Sequence, residues 1–556
     1  MVNTAFQNPI EEAVLAPAAD RDWWRGAVIY QIYPRSYQDS NGDGVGDLVG
    51  IIQRLPHIAD LGADAIWISP FFKSPMKDFG YDISDYREID PIFGTLSDFE
   101  ILIAEAHRLG LKVMIDGVIS HTSELHEWFV ESRSSRDNPK ADWYVWADAS
   151  PDGTPPNNWL SIFGGSAWRW DTRRMQYYMH NFLPEQPDLN FHNPEVQDAV
   201  LDIVRFWLDK GVDGFRLDTI NFYFHSQGLE NNPALAADER NAQTAPAVNP
   251  YNFQDHIFDK SRPENLLFLE RLRQVMDEYP AAAAVGEVGD SQRGLEVVAA
   301  YTEADKRVQM CYAFDFLAPD KISAGTVRTV LEQFGHVASS GWACWAFSNH
   351  DVVRHATRWG AGEPDLTAYL KVVSAAMMSM RGSVCIYQGE ELGLTEADLA
   401  LEDLQDPYGI RFWPEFKGRD GCRTPMVWDR MAIYGGFSTA KPWLPVPSEH
   451  LALAVNMQQG DEQSLLEHYR RFIAFRKQHP TFTKGDINFI DTEGDVLAFT
   501  RRAGNDQVVC VFNLGSAPAT LKFAGTEPLT GHGMEAAAVG GNIELPPYGA
   551  WFGRAG

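Results

Sequence analysis

The chain has 556 residues, with 76 acidic and 47 basic side chains and a formal net charge of −29 at pH 7. This charge argues against nucleic acid or a membrane surface as a partner, because both need a positive protein surface. Apolar residues make up 45% of the chain. That is enough for one large domain and a smaller one, and no stretch approaches the roughly 20 apolar residues of a membrane span.

Cysteine usage and the N-terminal sequence bear on the cellular compartment. Residues 1–20 lack the basic start and the apolar run of a signal peptide. The cysteines are scattered and odd in number, which predicts buried thiols without a disulfide framework: Cys311, Cys344, Cys385, Cys422 and Cys510. We therefore expect a cytoplasmic protein. We also expect it to be a monomer or a homodimer.

An acidic loop follows the first predicted strand, 28–34. Its oxygen-bearing residues alternate and Gly44 stands at the sixth place, as in the first half of an EF-hand loop, although Gly50 replaces the acid at the twelfth place. We expect a structural Ca²⁺ or Mg²⁺, and no organic cofactor, with these ligands: Asp39, Asn41, Asp43, the Val45 carbonyl and Asp47. The alternative is a glycine-rich turn that binds nothing.

Alternating strands and helices then predict repeated parallel βα units. A second strand covers 63–70 and a third covers 112–118. Between them, helix 97–110 begins with a capping box formed by Ser97 and Glu100.

Three irregular stretches interrupt this pattern. Residues 123–193, rich in Trp, Pro, Gly and Asn, predict a subdomain inserted after the third strand. The polar excursion 224–262 is long enough to predict a functional loop over the site. Residues 393–445 predict a further irregular insertion.

The remaining elements complete an α/β fold with a (β/α)8 TIM barrel. Helices are predicted over 194–210, 263–278 and 461–478, and strands over 214–219, 282–288, 310–316, 344–351 and 383–391. Short alternating strands near the C-terminus predict an antiparallel β domain. The expected domains are a catalytic barrel over 1–118 and 194–478, an inserted subdomain B over 119–193, and a C-terminal β-sandwich domain over 479–556.

Three acids stand where barrel strands end: Asp218, Glu287 and Asp351. Strand ends meet at one mouth of a barrel, and carboxylates brought together there destabilise the fold unless they are used. Glycoside cleavage needs one carboxylate as nucleophile and one carboxylic acid as proton donor. We expect Arg216 to keep Asp218 ionised, and poor solvation to raise the pKa of Glu287.

Four motifs in this order carry a resemblance to the α-amylase superfamily, glycoside hydrolase family 13: FGYDI (79–83), GFRLD (214–218), VGEV (285–288) and SNHD (348–351). The resemblance spans about residues 24–556. The segment QPDLN (186–190) resembles the signature of the oligo-1,6-glucosidase subfamily, and the whole chain is similar to bacterial α-glucosidases of that group.

The resemblance implies a role for each matched residue. Asp218 would be the nucleophile, Glu287 the acid/base and Asp351 the transition-state stabiliser. The implied substrate-binding residues are His121 and His350 as hydrogen-bond partners of the sugar, Asp82 and Arg419 as the pair that closes the glucose subsite, Tyr81 as its stacking platform, and Phe163, Phe182, Arg216 and Thr219 around them.

One residue departs from the family pattern. The family usually has Asn before the His of its third-strand motif, where this chain has Ser120. In α-amylases that Asn binds a structural calcium between the barrel and the insertion. Its replacement puts that calcium in doubt and leaves the 39–47 loop as the expected metal site.

The resemblance implies a retaining, exo-acting α-glucosidase that acts on short oligosaccharides or other small glucosides. In the resembling subfamily Thr at position 219 goes with α-1,4 linkages, such as that of maltose, and the 224–262 excursion should disfavour starch. A transglucosidase or sucrose isomerase is the alternative, because it shares the covalent intermediate. A non-catalytic relative, like the amino-acid-transporter heavy chains, is disfavoured by the three intact acids.

Overall fold

Eight parallel strands form the barrel at the centre of this computed structural model, which describes residues 20–338, 340–523 and 525–555. They are buried along almost their whole length, which explains their continuous apolar runs. In chain order the barrel strands are Val28–Ile32, Ala65–Ile68, Lys112–Gly117, Gly214–Leu217, Ala283–Val288, Met310–Ala313, Cys344–Ala346 and Ser383–Tyr387.

Neighbouring strands of the barrel follow one another in sequence. The first strand pairs with both the second and the eighth, and a single parallel bridge between Cys311 and Ala343 joins the sixth strand to the start of the seventh. The sheet is therefore nearly closed, and the predicted TIM barrel is confirmed.

Helices cover the outside of the barrel and extend into the connections. They are Leu48–Leu61, Leu96–Arg108, Glu127–Ser132, Pro194–Asp209, Asn265–Met276, Gly294–Thr302, Ala324–Val337, His355–Arg358, Leu366–Ser379, Pro407–Phe412, Val455–Gln458, Leu465–Gln478 and Pro480–Lys484. The capping box predicted at Ser97 and Glu100 is wrong. It lies two residues earlier, where the Thr95 hydroxyl accepts from the Asp98 amide and the Asp98 carboxylate accepts from the Thr95 amide.

The seventh strand is much shorter than the predicted 344–351. Pairing stops at Ala346, and the Asn349 side chain then accepts hydrogen bonds from the backbone amides of Asp351 and Val352. This local turn takes the chain out of the sheet, so Asp351 lies on a loop above the strand end.

The inserted region after the third strand carries a small antiparallel sheet of Trp146–Ala147, Trp168–Asp171 and Gln176–Met179. A separate antiparallel pair, Phe72–Lys73 with Asp85–Ile89, follows the second barrel strand. A bridge between His121 and Asp188 ties the insertion to the third strand's loop.

The C-terminal region folds into two antiparallel sheets. The larger has the spatial order Asp486–Phe489, Val496–Ala503, Asp506–Asn513, Ala550–Ala555 and Thr526–Pro528, and the smaller has the order Ala519–Lys522, Asn542–Leu545 and Ala537–Val539. Phe499 and Phe552 of the larger sheet belong to the same apolar core as Phe472 of the last long helix. The larger C-terminal sheet therefore packs directly on the barrel's outer helices, and the smaller sheet, through Ile543 and Leu545, packs in a separate apolar cluster with the larger one.

Buried charge also joins this domain to the barrel. Arg501, fully buried, donates to the carbonyls of Ser379 and Met380 on the barrel side and to those of Phe482 and Gly485 at the start of the domain. Carbonyl oxygens thus satisfy a guanidinium that would otherwise be costly to bury.

Three further expectations from the sequence concern the cysteines, membrane-spanning helices and a signal peptide. All five cysteines are buried and free. None of the helices in the described ranges combines the length and apolar composition needed to cross a membrane. The expectation about a signal peptide concerns residues 1–20, nearly all of which lie outside the described residues.

Candidate active site

One guanidinium, that of Arg216, lies at the floor of the barrel mouth and is fully buried. Its Nη1 is 2.9 Å from Asp116 Oδ1 and 2.6 Å from Asp218 Oδ1, and its Nη2 is 2.6 Å from Glu287 Oε1. The strand register explains this arrangement, because Asp116 pairs directly with Arg216 across the third and fourth strands. A single positive charge therefore holds three carboxylates together.

Thr219 connects the same two predicted catalytic acids from the other side. Its backbone amide donates to Glu287 Oε2 and its hydroxyl donates to Asp218 Oδ2, each over 3.2 Å. Its φ of 42° lies in the left-handed region, which a β-branched residue adopts only under strain of roughly 1–3 kcal/mol. The surrounding contacts evidently hold the residue there, so that backbone and side chain each reach a different carboxylate.

The pKa values of the two acids follow from burial and from this shared cation. Burial raises the pKa of Asp218 to about 7, while Arg216 acts in the opposite direction. Burial likewise raises the pKa of Glu287 to about 7, again against Arg216. The pKa of Glu287 is therefore raised, as the sequence predicts. Arg216 alone does not hold the pKa of Asp218 in its ordinary range, because burial outweighs it and the nearby carboxyl groups of Asp116 and Asp351 raise that pKa further.

The third acid, Asp351, has a different environment. Its Oδ1 accepts from Arg423 Nη2 over 2.8 Å and from Arg419 Nη1 over 3.3 Å, and its Oδ2 is 3.2 Å from His350 Nε2. Burial raises the pKa of Asp351, but these three cationic or polar neighbours together hold it well below its usual range. Asp351 is therefore ionised when Asp218 and Glu287 still share a proton.

Two histidines lie beside the acids and are neutral. Burial lowers the pKa of His121 to about 4 and that of His350 well below its usual value. His121 Nε2 is 2.9 Å from the Tyr81 carbonyl, while His350 lies behind Tyr81 with the two rings stacked at 5.4 Å between centroids. His121 reaches the cavity surface, whereas the structure places His350 behind it, against Tyr81 and Asp351.

The predicted pair of Asp82 and Arg419 is wrong. Asp82 is buried beneath the cavity, where its carboxylate accepts from the backbone amides at positions 77 and 78 and from a serine hydroxyl. Asp78 takes the predicted place, since its Oδ1 lies 2.7 Å from Arg419 Nη2. The cause is a tight turn in which Phe79 (φ 51°) and Gly80 (φ 107°) are left-handed, so the two aspartates point to opposite sides.

Arg419 closes one end of a cavity of about 400 Å³. A second carboxylate, Asp406, lies 2.8 Å from its Nη2, and the ring of Phe163 lies 4.9 Å from its guanidinium carbon. The cavity is lined by the three predicted catalytic acids and by these predicted binding residues: Tyr81, His121, Phe163, Phe182, Thr219 and Arg419. Arg216 lies directly beneath it.

Several residues of the site escaped the sequence analysis. Gln186 lies 3.2 Å from His121 and 3.1 Å from Asp78, and its place in the QPDLN segment was an available signal. Asp116 is the next-to-last residue of a buried strand and Asp218 directly follows one, which was a second signal. No signal was available for Tyr312, which donates to Glu287, or for Asp406 and Arg423, because only the three-dimensional fold brings them to the barrel mouth.

The acidic loop does not gather its side chains around one point. Each predicted ligand side chain instead accepts hydrogen bonds from nearby groups of the loop: Asp39 from three backbone amides, Asn41 and Asp43 from one amide each, and Asp47 from two amides and a serine hydroxyl. Across the described residues, no three His, Cys, Asp or Glu side chains are grouped as metal ligands. The hard oxygen donors suit Ca²⁺ or Mg²⁺ chemically, but the geometry gives no support for the cation, which stays a prediction.

Comparisons with known proteins show which family this chain resembles over most of its length. The model of the family "Alpha amylase, catalytic domain" matches residues 31–485. A probable alpha-glucosidase of Rhizobium meliloti is 65% identical over 549 residues, covering 98% of this chain and 99% of the relative. An oligo-1,6-glucosidase of Heyndrickxia coagulans is 37% identical over 528 residues, covering 89% of this chain and 92% of the relative.

Two solved structures extend the comparison. The alpha-glucosyl transfer enzyme XgtA superposes with a TM-score of 0.93 at 56% identity, covering 96% of this chain and 99% of that one. The trehalulose synthase MutB from Pseudomonas mesoacidophila superposes with a TM-score of 0.85 at 32% identity, again covering 96% and 99%. Proteins similar to this chain over most of its length therefore include named glucosidases, an alpha-glucosyl transfer enzyme and a trehalulose synthase.

The coupled acids predict a bell-shaped pH dependence of kcat/KM centred near pH 7. Below the first apparent pKa of the pair both acids are protonated and no nucleophile exists, and above the second both are ionised and no proton donor exists. Glu287→Gln, assayed with α-glucosyl fluoride, whose leaving group needs no protonation, should keep the acid limb and lose the alkaline limb. An unchanged alkaline limb in this variant would show that another group sets it.

Proposed function

The chain belongs to the alpha-amylase family, glycoside hydrolase family 13, and we propose that it is a retaining, exo-acting α-glucosidase with Asp218 as nucleophile and Glu287 as acid/base. The observation that carries this proposal is the joint attachment of both carboxylates to Arg216 and Thr219 on the cavity floor. Such a pair can share one proton between an attacking carboxylate and a proton-donating acid.

The reaction follows from this distribution of the proton. Asp218 attacks the anomeric carbon while Glu287 gives its proton to the glycosidic oxygen, so that the aglycone leaves and a glucosyl ester forms on Asp218. Glu287, now a carboxylate, takes a proton from water, whose oxygen attacks the anomeric carbon and releases Asp218. Asp351 stays ionised throughout and favours positive charge developing at the sugar ring.

The closed end of the cavity supports action on a terminal glucose. Asp78, Arg419 and Asp406 form a hydrogen-bonded barrier there, and Phe163 covers the guanidinium. A polysaccharide chain has no path through this barrier, so the substrate enters with its non-reducing end first. The excursion contributes residues 242–247 to the cavity lining, where Ala245 packs in one cluster with Phe163 and Tyr408, and this narrows the cavity and disfavours starch.

Transfer of glucose to an acceptor other than water is the second candidate function. The XgtA and MutB structures, described as a glucosyl transfer enzyme and a trehalulose synthase, share this fold. The same glucosyl-enzyme serves both outcomes, because an acceptor hydroxyl can take the place of water. The two reactions therefore differ only in which molecule occupies the entrance side of the cavity.

A cytoplasmic location and a structural cation in the 39–47 loop complete the proposal. Five buried, free thiols support a reducing compartment. Hard oxygen donors at alternate positions support the cation. If the loop binds Ca²⁺ or Mg²⁺, chelation should lower the melting temperature by a few degrees while leaving kcat nearly unchanged, with Asp43→Asn as a variant insensitive to the chelator. If elemental analysis finds no bound cation and the chelator does not change the melting temperature, the loop is a turn that binds no metal.

Retention of anomeric configuration tests the proposed mechanism. Two successive displacements at the anomeric carbon should release glucose first as the α-anomer. Proton NMR during early hydrolysis of methyl α-glucoside, which releases a single glucose, distinguishes the anomers before mutarotation. Initial release of β-glucose would mean a single displacement by water and would refute the nucleophilic role of Asp218.

We predict that maltose is a better substrate than isomaltose or soluble starch. The Thr219 hydroxyl already donates to Asp218 and lies 3.2 Å from the hydroxyl of Ser120, so its effect on linkage acts through the position of the nucleophile. The wild type should show a kcat/KM for maltose about tenfold above that for isomaltose, and Thr219→Val should reduce this ratio. A preference for isomaltose, or a ratio that Thr219→Val leaves unchanged, would place linkage specificity elsewhere.

A further inference from the structure

Tyr312 lies between the buried guanidinium of Arg216 and the carboxyl group of Glu287. It stands on the sixth barrel strand and pairs in register with Glu287 on the fifth, so the two side chains project to the same inward side of the barrel. Only 2% of Tyr312 is exposed. Its hydroxyl group must therefore find its hydrogen-bond partners among buried protein groups.

The hydroxyl group of Tyr312 has every hydrogen-bonding position filled. Its oxygen accepts from Arg216 Nε over 3.2 Å and from Arg216 Nη2 over 2.9 Å, which uses both lone pairs. Its hydrogen is donated to Glu287 Oε1 over 2.9 Å. A guanidinium has no acceptor, so the direction of each of these bonds is settled. Burial also raises the pKa of Tyr312 well above its ordinary value, so the group keeps this hydrogen when the carboxyl groups ionise.

The two oxygens of Glu287 therefore have different surroundings. Oε1 receives the Tyr312 hydrogen and lies 2.6 Å from Arg216 Nη2. A proton on Oε1 would face a cation or displace the Tyr312 donor, and either is unfavourable. Oε2 accepts, within the described residues, only from the Thr219 amide over 3.2 Å. The proton of the acid form is therefore more stable on Oε2.

The charged groups that face Glu287 are Arg216, Asp116, Asp218 and Asp351. Arg216 lowers the pKa of Glu287, while burial, Asp218 and Asp351 raise it. Each of these groups carries a full charge, and its effect reaches the whole carboxyl group. Tyr312 is a neutral hydrogen-bond donor and bonds to one oxygen only. Its distinct effect is to orient the carboxyl group.

We propose that Tyr312 is a positioning residue of the reaction: its hydroxyl group holds Glu287 so that Oε2 gives up the proton in the first step and takes one back in the second. This role rests on the proposed assignment of Glu287 as acid/base. In the first step the O–H bond at Oε2 breaks, the proton goes to the glycosidic oxygen, and the bond from that oxygen to the anomeric carbon breaks as Asp218 forms the ester. In the second step Oε2 takes a proton from water while the water oxygen displaces Asp218. Tyr312 keeps its own hydrogen throughout.

Tyr312→Phe tests this role through the pH profile. It removes the donor to Oε1, so the carboxylate form of Glu287 becomes less stable and its pKa rises. The alkaline limb of kcat/KM for maltose should move up by about one pH unit. At the optimum, kcat/KM for maltose should fall about tenfold, because the proton is no longer confined to Oε2. For α-glucosyl fluoride, whose leaving group needs no proton, kcat/KM should change by less than about twofold.

Tyr469→Phe is the matched control. The Tyr469 hydroxyl, also buried, donates to the Glu390 carboxylate over 3.0 Å, and neither is among the described residues that line the cavity. This variant therefore removes a tyrosine–carboxylate hydrogen bond of nearly the same length away from the proposed glucose site. Its alkaline limb and its ratio of the two substrates should equal those of the wild type. The same change in both variants would show that a general loss of stability explains the Tyr312→Phe result, and the positioning role would be wrong.

Two further outcomes would overturn the role of Tyr312. One is an alkaline limb that Tyr312→Phe leaves in place. The other is an equal loss of kcat/KM on both substrates, which a purely structural residue would give. If Tyr312→Phe does not fold, 3-fluorotyrosine is incorporated at position 312. Its more acidic hydroxyl is a stronger donor in the same place, so the alkaline limb should move down, and an unmoved limb would overturn the proposal.

Failure of the α-glucosidase function gives a different set of results. If Glu287→Gln keeps the alkaline limb with α-glucosyl fluoride, Glu287 is not the acid/base and the role of Tyr312 is refuted with it. If the wild type releases glucose from neither substrate, the proposed function itself is refuted. A wild type whose alkaline limb is set by Glu287, together with an unmoved limb in Tyr312→Phe, contradicts the positioning role alone.

Discussion

The structure depends on the imbalance between one buried guanidinium and three buried carboxylates. Arg216 contacts Asp116, Asp218 and Glu287 at 2.6–2.9 Å, and it can neutralise only one of them. Buried charges without a partner are costly, so the cluster keeps a proton at a pH where exposed carboxyl groups have lost theirs. A double-displacement glycosidase needs just such a state, with one proton distributed over two acids. The same excess of negative charge that destabilises the fold therefore keeps on the cluster the proton that the reaction needs.

The barrel holds Arg216 and the three carboxylates together despite their excess negative charge. Parallel strands in register bring Asp116 beside Arg216, and the period of two along each strand puts Asp218 two residues further on the same inward side. The Trp67 ring lies 4.9 Å from the guanidinium carbon, and the Tyr312 hydroxyl accepts from Arg216 and donates to Glu287. Arg216 thus has no freedom to leave the carboxylates. Above this fixed floor, loops close one end of the cavity with the ion pairs of Arg419.

The sequence predicted the barrel and the three acids because both depend on local pattern: buried runs of strand length, and charge at their ends. The prediction from the sequence was wrong where the local backbone conformation determines which of two nearby residues makes a contact. Asp78 precedes the FGYDI motif and Asp82 lies within it, and the left-handed turn at Phe79 and Gly80 between them determines which one meets Arg419. It also failed for partners that converge from distant loops, such as Asp406 and Arg423, whose segment shows no periodic pattern. The sequence did not predict the raised pKa of Asp218 for a related reason, since it depends first on how deeply the fold buries this carboxyl group and then on which charges the fold brings beside it.

Chemical trapping of the intermediate tests the central claim most directly. Glu287→Gln still permits attack by Asp218 on α-glucosyl fluoride, but it cannot take the proton from water, so the glucosyl-enzyme should accumulate. Mass spectrometry of the intact protein should show the addition of one glucosyl unit, and peptide mapping should place it on Asp218. An adduct on a different residue, or fluoride release with no adduct at all in repeated rapid-quench samples, would contradict the assignment of Asp218 and Glu287 as the two acids that Arg216 holds for catalysis.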